Sequence, residues 1–260
     1  MTKQSHKYFA LVLGGSQGLG YASALKLAQH GWNIIIIHRD RRSELPQIEL
    51  KFKAIQNCGV ELKSFNLDAT NSEKRISFIE QLPEVLGASG KIKLLLHSIA
   101  KGNLKALTGD AALHQTDLQI TSNAMAYSFY DWAKAILDAG CFAKQSKLLA
   151  FTSEGNQRVW KHYAAVSVAK TSLETLMKYM AVEFAEFGIT TNCIQPGVVE
   201  TQSFKMIPGH EKLKVASIKR NPFHRLTQPE DVANVVYLMS KDEAHWINGS
   251  IIKADGGESL

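Results

Sequence analysis

The chain has 260 residues, of which 45% are hydrophobic and 21% charged, with a formal net charge of +6. A chain of this length and ordinary composition buries a sizeable core as one globular α/β domain, which excludes a disordered or fibrous protein. The basic residues are scattered, with Arg39-Asp-Arg-Arg42 the one tight cluster, so the chain lacks the dense arm that nucleic-acid binding calls for.

No apolar run approaches the ~18 residues of a membrane span, and no signal-like segment precedes the first one, Tyr8-Phe-Ala-Leu-Val-Leu13. Cys58, Cys141 and Cys193 are odd in number and lack metal-ligand spacing, which reads as reduced thiols packed as small hydrophobes. The expectation is a cytoplasmic protein. The nine histidines, from His6 to His245, are equally scattered, so no metal site is expected.

In chain order, strand-like runs fall at 8–13, 33–37, 61–67, 92–98, 147–152, 190–195 and 250–253. Segments with helical patterns lie between them, including 20–30, 75–86, 117–139 and 229–240. This alternation predicts a single-domain α/β fold of the Rossmann type, a doubly wound parallel sheet with helices on both faces and right-handed crossovers. No internal repeat, low-complexity tract or linker divides residues 1–260.

The first strand runs into Gly14-Gly-Ser-Gln-Gly-Leu-Gly20 and then into a good helical sequence. Glycines at such a turn let backbone approach a pyrophosphate, which the free amides of a helix start attract. Gly14, Ser16, Gln17, Gly18, Leu19 and Gly20 are therefore candidate cofactor contacts, against the alternative of a plain tight turn. The second strand delivers His38-Arg-Asp-Arg-Arg42 to the place where such folds read the adenosine ribose. An acid there accepts the 2′-hydroxyl of NAD, whereas arginine pairs with the 2′-phosphate of NADP. Arg39 and Arg41 favour NADPH and Asp40 favours NADH; the balance falls to NADPH, with Arg42 a solvated turn residue.

From His162 to Phe187 the chain runs without Pro or Gly and stops at Gly188, predicting one long helix. Tyr163 and Lys170 lie seven residues apart, about two turns and ~10 Å along the axis, and so share a face. A phenol that donates a proton and an ammonium that grips a cofactor fit that pattern. A half-buried core tyrosine and a solvated helix lysine are the bland alternatives.

Together these features resemble the short-chain dehydrogenase/reductases across almost the whole chain. The motifs are Gly14-x3-Gly18-x-Gly20, Asn66-Leu67-Asp68, Asn123, Ser153, Lys170, Pro196-Gly-Val-Val-Glu-Thr201 and Asp255-Gly-Gly257. Most members place tyrosine four residues before the lysine, where this chain has Val166. The Tyr-x6-Lys spacing resembles instead the divergent branch of enoyl-acyl-carrier-protein reductases, as do His97-Ser-Ile-Ala100 and Tyr127-Ser-Phe129, and the mixed character is similar to the NADPH-using Bacillus type.

That resemblance implies Tyr163, Lys170 and Ser153 as catalytic residues. It implies cofactor contacts at Asn66, Leu67, Ser98, Ile99, Ala100, Lys170, Pro196, Gly197, Val199 and Thr201, with Asp68 the adenine partner in an alternative register. Ser153 is also readable as a strand-end serine bonding backbone. Asn123 divides evenly between a structural and a catalytic reading, and Trp160 receives no role. Residues 202–224 read as a lid over an acyl chain or as an ordinary surface helix pair. Phe204, Met206, Ile207, Leu213, Ile218 and Phe223 are its apolar members, and Lys205, Lys212, Lys214 and Lys219 are available to an acidic carrier protein. The implied substrate is an acyl-carrier-protein or CoA thioester, and the implied assembly a homotetramer. A dienoyl-CoA reductase, a carbonyl reductase and a non-catalytic nucleotide sensor are the competing readings.

Overall fold

The computed structural model describes residues 7–260; His6 lies outside the described part. In chain order the elements are β1 (Lys7–Leu13), α1 (Gly18–Gln29), β2 (Asn33–His38), α2 (Leu45–Gln56), β3 (Leu62–Asn66), α3 (Ser72–Leu86) and β4 (Gly90–His97). Then come α4 (Gln115–Ser122), α5 (Ser128–Asp138), β5 (Phe142–Phe151), α6 (Ala164–Glu183), β6 (Thr190–Pro196), α7 (Gln202–Lys205), α8 (His210–Arg220), α9 (Pro229–Ser240) and β7 (Ile251–Ala254). The strands form one seven-stranded sheet in the order β3-β2-β1-β4-β5-β6-β7. Every strand pair is parallel, as the alternation of elements predicts.

A strand turns successive side chains to opposite faces, so a continuous apolar run fills two cores at once. Phe9, Leu11 and Leu13 of β1 join Leu82 of α3, Phe129 and Trp132 of α5 and Leu173 and Met177 of α6 on one face. Ala10 and Val12 join Leu27 of α1, Ile48 and Ile55 of α2 and Val232 and Val236 of α9 on the other. Each fully buried Leu, Ile or Phe contributes roughly 1.5–3 kcal/mol of transfer free energy.

The structure departs from the sequence expectations in four places. α2 is an additional helix, with Pro46 tolerated in its first turn and Ile48, Phe52 and Ile55 buried. The 117–139 segment is broken by a π turn at Asn123–Tyr127, where the Ser128 amide reaches back to the Asn123 carbonyl. β5 begins at Phe142, ahead of a register break opposite Ile92–Leu94 and of Gln145 at φ 58°. The long helix begins at Ala164 because His162 has φ 67°, so Tyr163 is its N-cap rather than an interior residue.

Candidate active site

The predicted site residues all fall at the carboxyl edge of the sheet, around the point where strand order reverses between β1 and β4. Gly14 has φ 84°, and a Cβ there would stand 2.5 Å from the Ser98 carbonyl oxygen. At Gly20 a Cβ would stand 2.2 Å from the Gly14 carbonyl oxygen. Neither position admits a side chain, which lets the β1–α1 turn lie directly against the residues after β4. Gln17 supplies no side-chain cap to α1, whose first backbone bond runs from the Tyr21 amide to the Gln17 carbonyl. The amides of residues 18–20 therefore precede the helical ladder, an arrangement suited to an anion. Gly18, at φ 53°, faces Thr201 across the edge, 3.5 Å from a Cβ position to the threonine methyl. Ser16 is buried and Leu19 half-buried beside them. This cradle fits a dinucleotide pyrophosphate.

At the end of β2, Asp40 is turned inward. Its carboxylate lies 2.7 Å from His38 Nδ1 and accepts a long bond from Gln17 Nε2 at 3.4 Å. Its side chain is 8% exposed, whereas that of Arg39 is 61% exposed. Arg39 Nη1 donates to Asp68 Oδ2 at 2.6 Å. Burial alone would raise the Asp68 carboxyl, but bonds from the Thr70 hydroxyl and amide and from Arg39 bring it down to about 2. Arg41 is exposed, with its amide on Glu44. The Asn66 carboxamide is spent on the chain itself, accepting from the Asp40 amide at 3.2 Å and donating to the Asp40 carbonyl at 3.1 Å. The Leu67 amide bonds the His38 carbonyl.

After β4, Ser98 and Ile99 are half-buried and Ala100 is exposed. His97, at the end of that strand, is fully enclosed and meets Ser128 Oγ at 2.8 Å. Because that hydroxyl donates to the Ala124 carbonyl, its oxygen accepts from His97 Nε2–H. Burial, reinforced by the Lys170 charge, depresses the imidazole to about 3, so His97 is neutral at physiological pH.

The Ser153 hydroxyl and the Tyr163 hydroxyl lie 3.2 Å apart. Gly155 makes this approach possible, since a Cβ there would stand 2.3 Å from the tyrosine ring. Val166, in the position where tyrosine is commonest, is buried with Met125 and Ala169 beneath Tyr163. Lys170 is buried and donates to the Phe151 carbonyl at 2.7 Å. Burial lowers its ammonium to about 8, opposed by Cys193 and Glu174. Cys193, itself pushed up to about 12, is a neutral thiol at pH 7. Burial raises the Tyr163 phenol, with the Ser153 hydrogen bond opposing. Desolvation dominates, and Tyr163 is held as a neutral donor. Asn123 is exposed on the helix surface, so its contribution is the carbonyl of the π turn, not a side chain in the site.

After β6, Pro196 and Gly197 end the strand, Val199 is buried, and Thr201 caps α7 by accepting the Phe204 amide. The segment beyond carries α7 and α8, with Phe204 and Leu213 buried beneath it. Between this segment and the loop ahead of Tyr163 runs a crevice of about 330 Å³ lined by Trp160, Lys161, Ile207, Lys212, Leu213 and Ala216, among others. A larger cavity, about 670 Å³, lies near the opposite edge of the sheet beside Phe142 and Phe187. Four features went unread in the sequence: Gly155 under the tyrosine, the Thr152–Glu174 bond behind Lys170, the His97–Ser128 pair, and an ion network of Arg220 with Glu154 and Glu258. Gly155, two residues after Ser153, is the one with a local signal. The cysteines are free, Cys141 and Cys193 buried and Cys58 half-buried. Among the described residues no helix is long and apolar enough to cross a membrane.

The sequence profile of the family described as Enoyl-(Acyl carrier protein) reductase matches residues 14–259. The chain belongs to that family of short-chain dehydrogenase/reductases, which are oxidoreductases. It is 28% identical over 266 residues to the 7alpha-hydroxysteroid dehydrogenase of Paraclostridium sordellii, covering 100% of this chain and 94% of that one. It is likewise 28% identical over 260 residues to the probable 2,4-dienoyl-CoA reductase of Bacillus subtilis (strain 168), covering 98% and 97%. The crystal structure of enoyl-[acyl-carrier-protein] reductase (NADH) from Aquifex aeolicus VF5 superposes with a TM-score of 0.84 at 22% identity, over 98% of this chain and 97% of that one.

Proposed function

We propose that the protein is an NADPH-dependent enoyl-thioester reductase acting on acyl-carrier-protein or CoA substrates in fatty-acid synthesis. The observation that carries this reading is the displacement of the phenol: Tyr163 meets Ser153 while Val166 is sealed in apolar packing. In a ketone the oxygen that gains charge is bonded to the carbon that takes hydride. In an enoyl thioester it lies three bonds away, so its hydrogen-bond donor must stand farther from the hydride-accepting carbon. A tyrosine nearly one helical turn farther from the lysine answers that requirement.

Gly14, Ser16, Gln17, Gly18, Leu19, Gly20 and Thr201 would hold the pyrophosphate, and Pro196, Gly197 and Val199 the nicotinamide end, with Ser98, Ile99 and Ala100 lining the floor between. The reduced nicotinamide supplies the hydride. Tyr163 donates a hydrogen bond to the thioester oxygen as charge gathers there, a positioned donor in a dry site being a large catalytic term. Lys170 binds the nicotinamide ribose, and Ser153 orients the phenol. The inward, hydrogen-bonded Asp40 and the outward Arg39 support NADPH over NADH, with Arg39 leaving Asp68 for the 2′-phosphate and Arg41 beside it. Leu67 would flank the adenine; Asn66, already committed to Asp40, would act by shaping that pocket.

Residues 202–224 form the lid over the acyl chain, whose entry is the Trp160–Leu213 crevice with Lys161 and Lys212 at its rim. The protein assembles as a homotetramer, and exposed Tyr127 of the π turn, Tyr130 of α5 and Val168, Tyr179 and Val182 of α6 supply apolar surface for a second copy. A panel of crotonyl, dienoyl and acetoacetyl thioesters followed at 340 nm tests the assignment: turnover of crotonyl thioester with NADPH is expected. Turnover of the acetoacetyl compound alone would make the protein a carbonyl reductase, and of the dienoyl compound alone a dienoyl reductase.

A further inference from the structure

Arg220 closes α8, and its guanidinium joins three separate parts of the site. Nη1 and Nη2 donate to the two carboxylate oxygens of Glu154 at 2.8 and 3.0 Å, and Nη2 also donates to Glu258 Oε1 at 2.8 Å. The three side chains are 20%, 17% and 2% exposed, so the network is largely removed from water. Glu154 directly follows Ser153 in a short 3-10 turn. The second oxygen of Glu258 accepts the Val198 amide at 3.0 Å, fixing the backbone immediately before Val199. Gly197 leaves room for this carboxylate, since a Cβ there would stand 2.7 Å from Glu258 Oε2.

A two-pronged guanidinium–carboxylate contact fixes distance and angle together, which a lysine cannot do. A shift of the 197–199 turn therefore moves Glu258, hence Arg220 and α8, and through Glu154 the backbone next to Ser153. We propose that Arg220 is a positioning residue that couples occupation of the nicotinamide end to closure of residues 202–220 and to alignment of the Ser153–Tyr163 pair. The proposal rests on the reading of that segment as a lid.

The test is hydrogen–deuterium exchange of the α7–α8 amides in the full chain, with and without saturating NADPH, in wild type, Arg220→Lys and Arg220→Met. NADPH is expected to slow exchange across 202–220 by about tenfold in the wild type and by less than about twofold in both variants, while NADPH affinity read by fluorescence changes by less than about threefold. Equal NADPH-induced protection in all three proteins would overturn the proposal even if the variants melt earlier, because a merely structural ion pair moves the melting point and not the coupling. Absence of protection in the wild type would overturn it too. Should Arg220→Met fail to fold, Arg220→Lys, which keeps the charge and loses the fork, decides alone. Since this readout needs no substrate, failure of the enoyl assignment leaves it intact; a kinetic arm uses whichever thioester or carbonyl the wild type reduces and expects lower kcat and higher substrate KM in Arg220→Lys at unchanged NADPH KM.

Discussion

Lys170 carries a stability cost that its removal should expose. Its ammonium falls from 10.5 to about 8 on burial, and at ~1.4 kcal/mol per pH unit the protonated native state is destabilised by ~3 kcal/mol at neutral pH. Lys170→Met removes that penalty but leaves the Phe151 carbonyl without its donor, a loss of ~1 kcal/mol. The net gain of ~2 kcal/mol corresponds to a rise in thermal midpoint of roughly 4 °C for a chain of this size. The sign with pH follows from the lowered pKa. Below about 8 both folded and unfolded wild-type chains hold the proton, and the penalty is fully present and constant. Between about 8 and 10.5 the unfolded chain holds a proton that the native one lacks, so wild-type stability rises relative to the variant. Scanning calorimetry of both proteins without cofactor at pH 7, 8.5 and 10 measures this. A variant melting below the wild type at pH 7, or a gap that does not narrow toward pH 10, would refute the reasoning. Activity should vanish in the variant at every pH, since the group proposed to hold the nicotinamide ribose is gone.

Val166→Tyr, which restores the commoner spacing, should gain no carbonyl reduction and lose roughly 1–3 kcal/mol in urea unfolding, because position 166 is packed against Met125 and Ala169. Arg39→Ala should raise the KM for NADPH by about tenfold or more while leaving that for NADH within about twofold, the loss of one charge-assisted pair; equal effects on both cofactors would remove Arg39 from the phosphate site. Gly20→Ala should abolish NADPH binding in a fluorescence titration, since its Cβ would lie 2.2 Å from the Gly14 carbonyl oxygen. Tyr163→Phe should lower kcat on crotonyl thioester by about 10²–10³ with KM little changed, and its fold should survive because the hydroxyl gives up a single side-chain hydrogen bond, to Ser153.

Unbroken apolar runs such as Ile34–Ile37 made the sheet legible, since a strand buried on both faces can be little else. The glycine turn was equally legible from its place between strand and helix. Helical period linked Tyr163 to Lys170, yet the helix start was misplaced because nothing in His162 announces a positive φ. The π turn at Asn123 likewise depends on one five-residue backbone step and leaves no periodic trace. Arg220 went unread because its partners Glu154 and Glu258 are 66 and 38 residues away, brought near only by the completed sheet. The inward turn of Asp40 belongs to the same class: its contact with His38 is local, but its burial comes from packing.

The central claim is that hydride goes to a carbon three bonds from the oxygen that Tyr163 stabilises. Nicotinamide-deuterated NADPH with crotonyl thioester, followed by NMR of the product, tests it most directly. Deuterium at C3 of a butyryl product, with the signal lost in Tyr163→Phe at matched time, is expected. Crotonyl thioester recovered unlabelled, while acetoacetyl thioester supplied alongside it is converted to a 3-hydroxybutyryl thioester deuterated at its hydroxyl-bearing carbon, would contradict it.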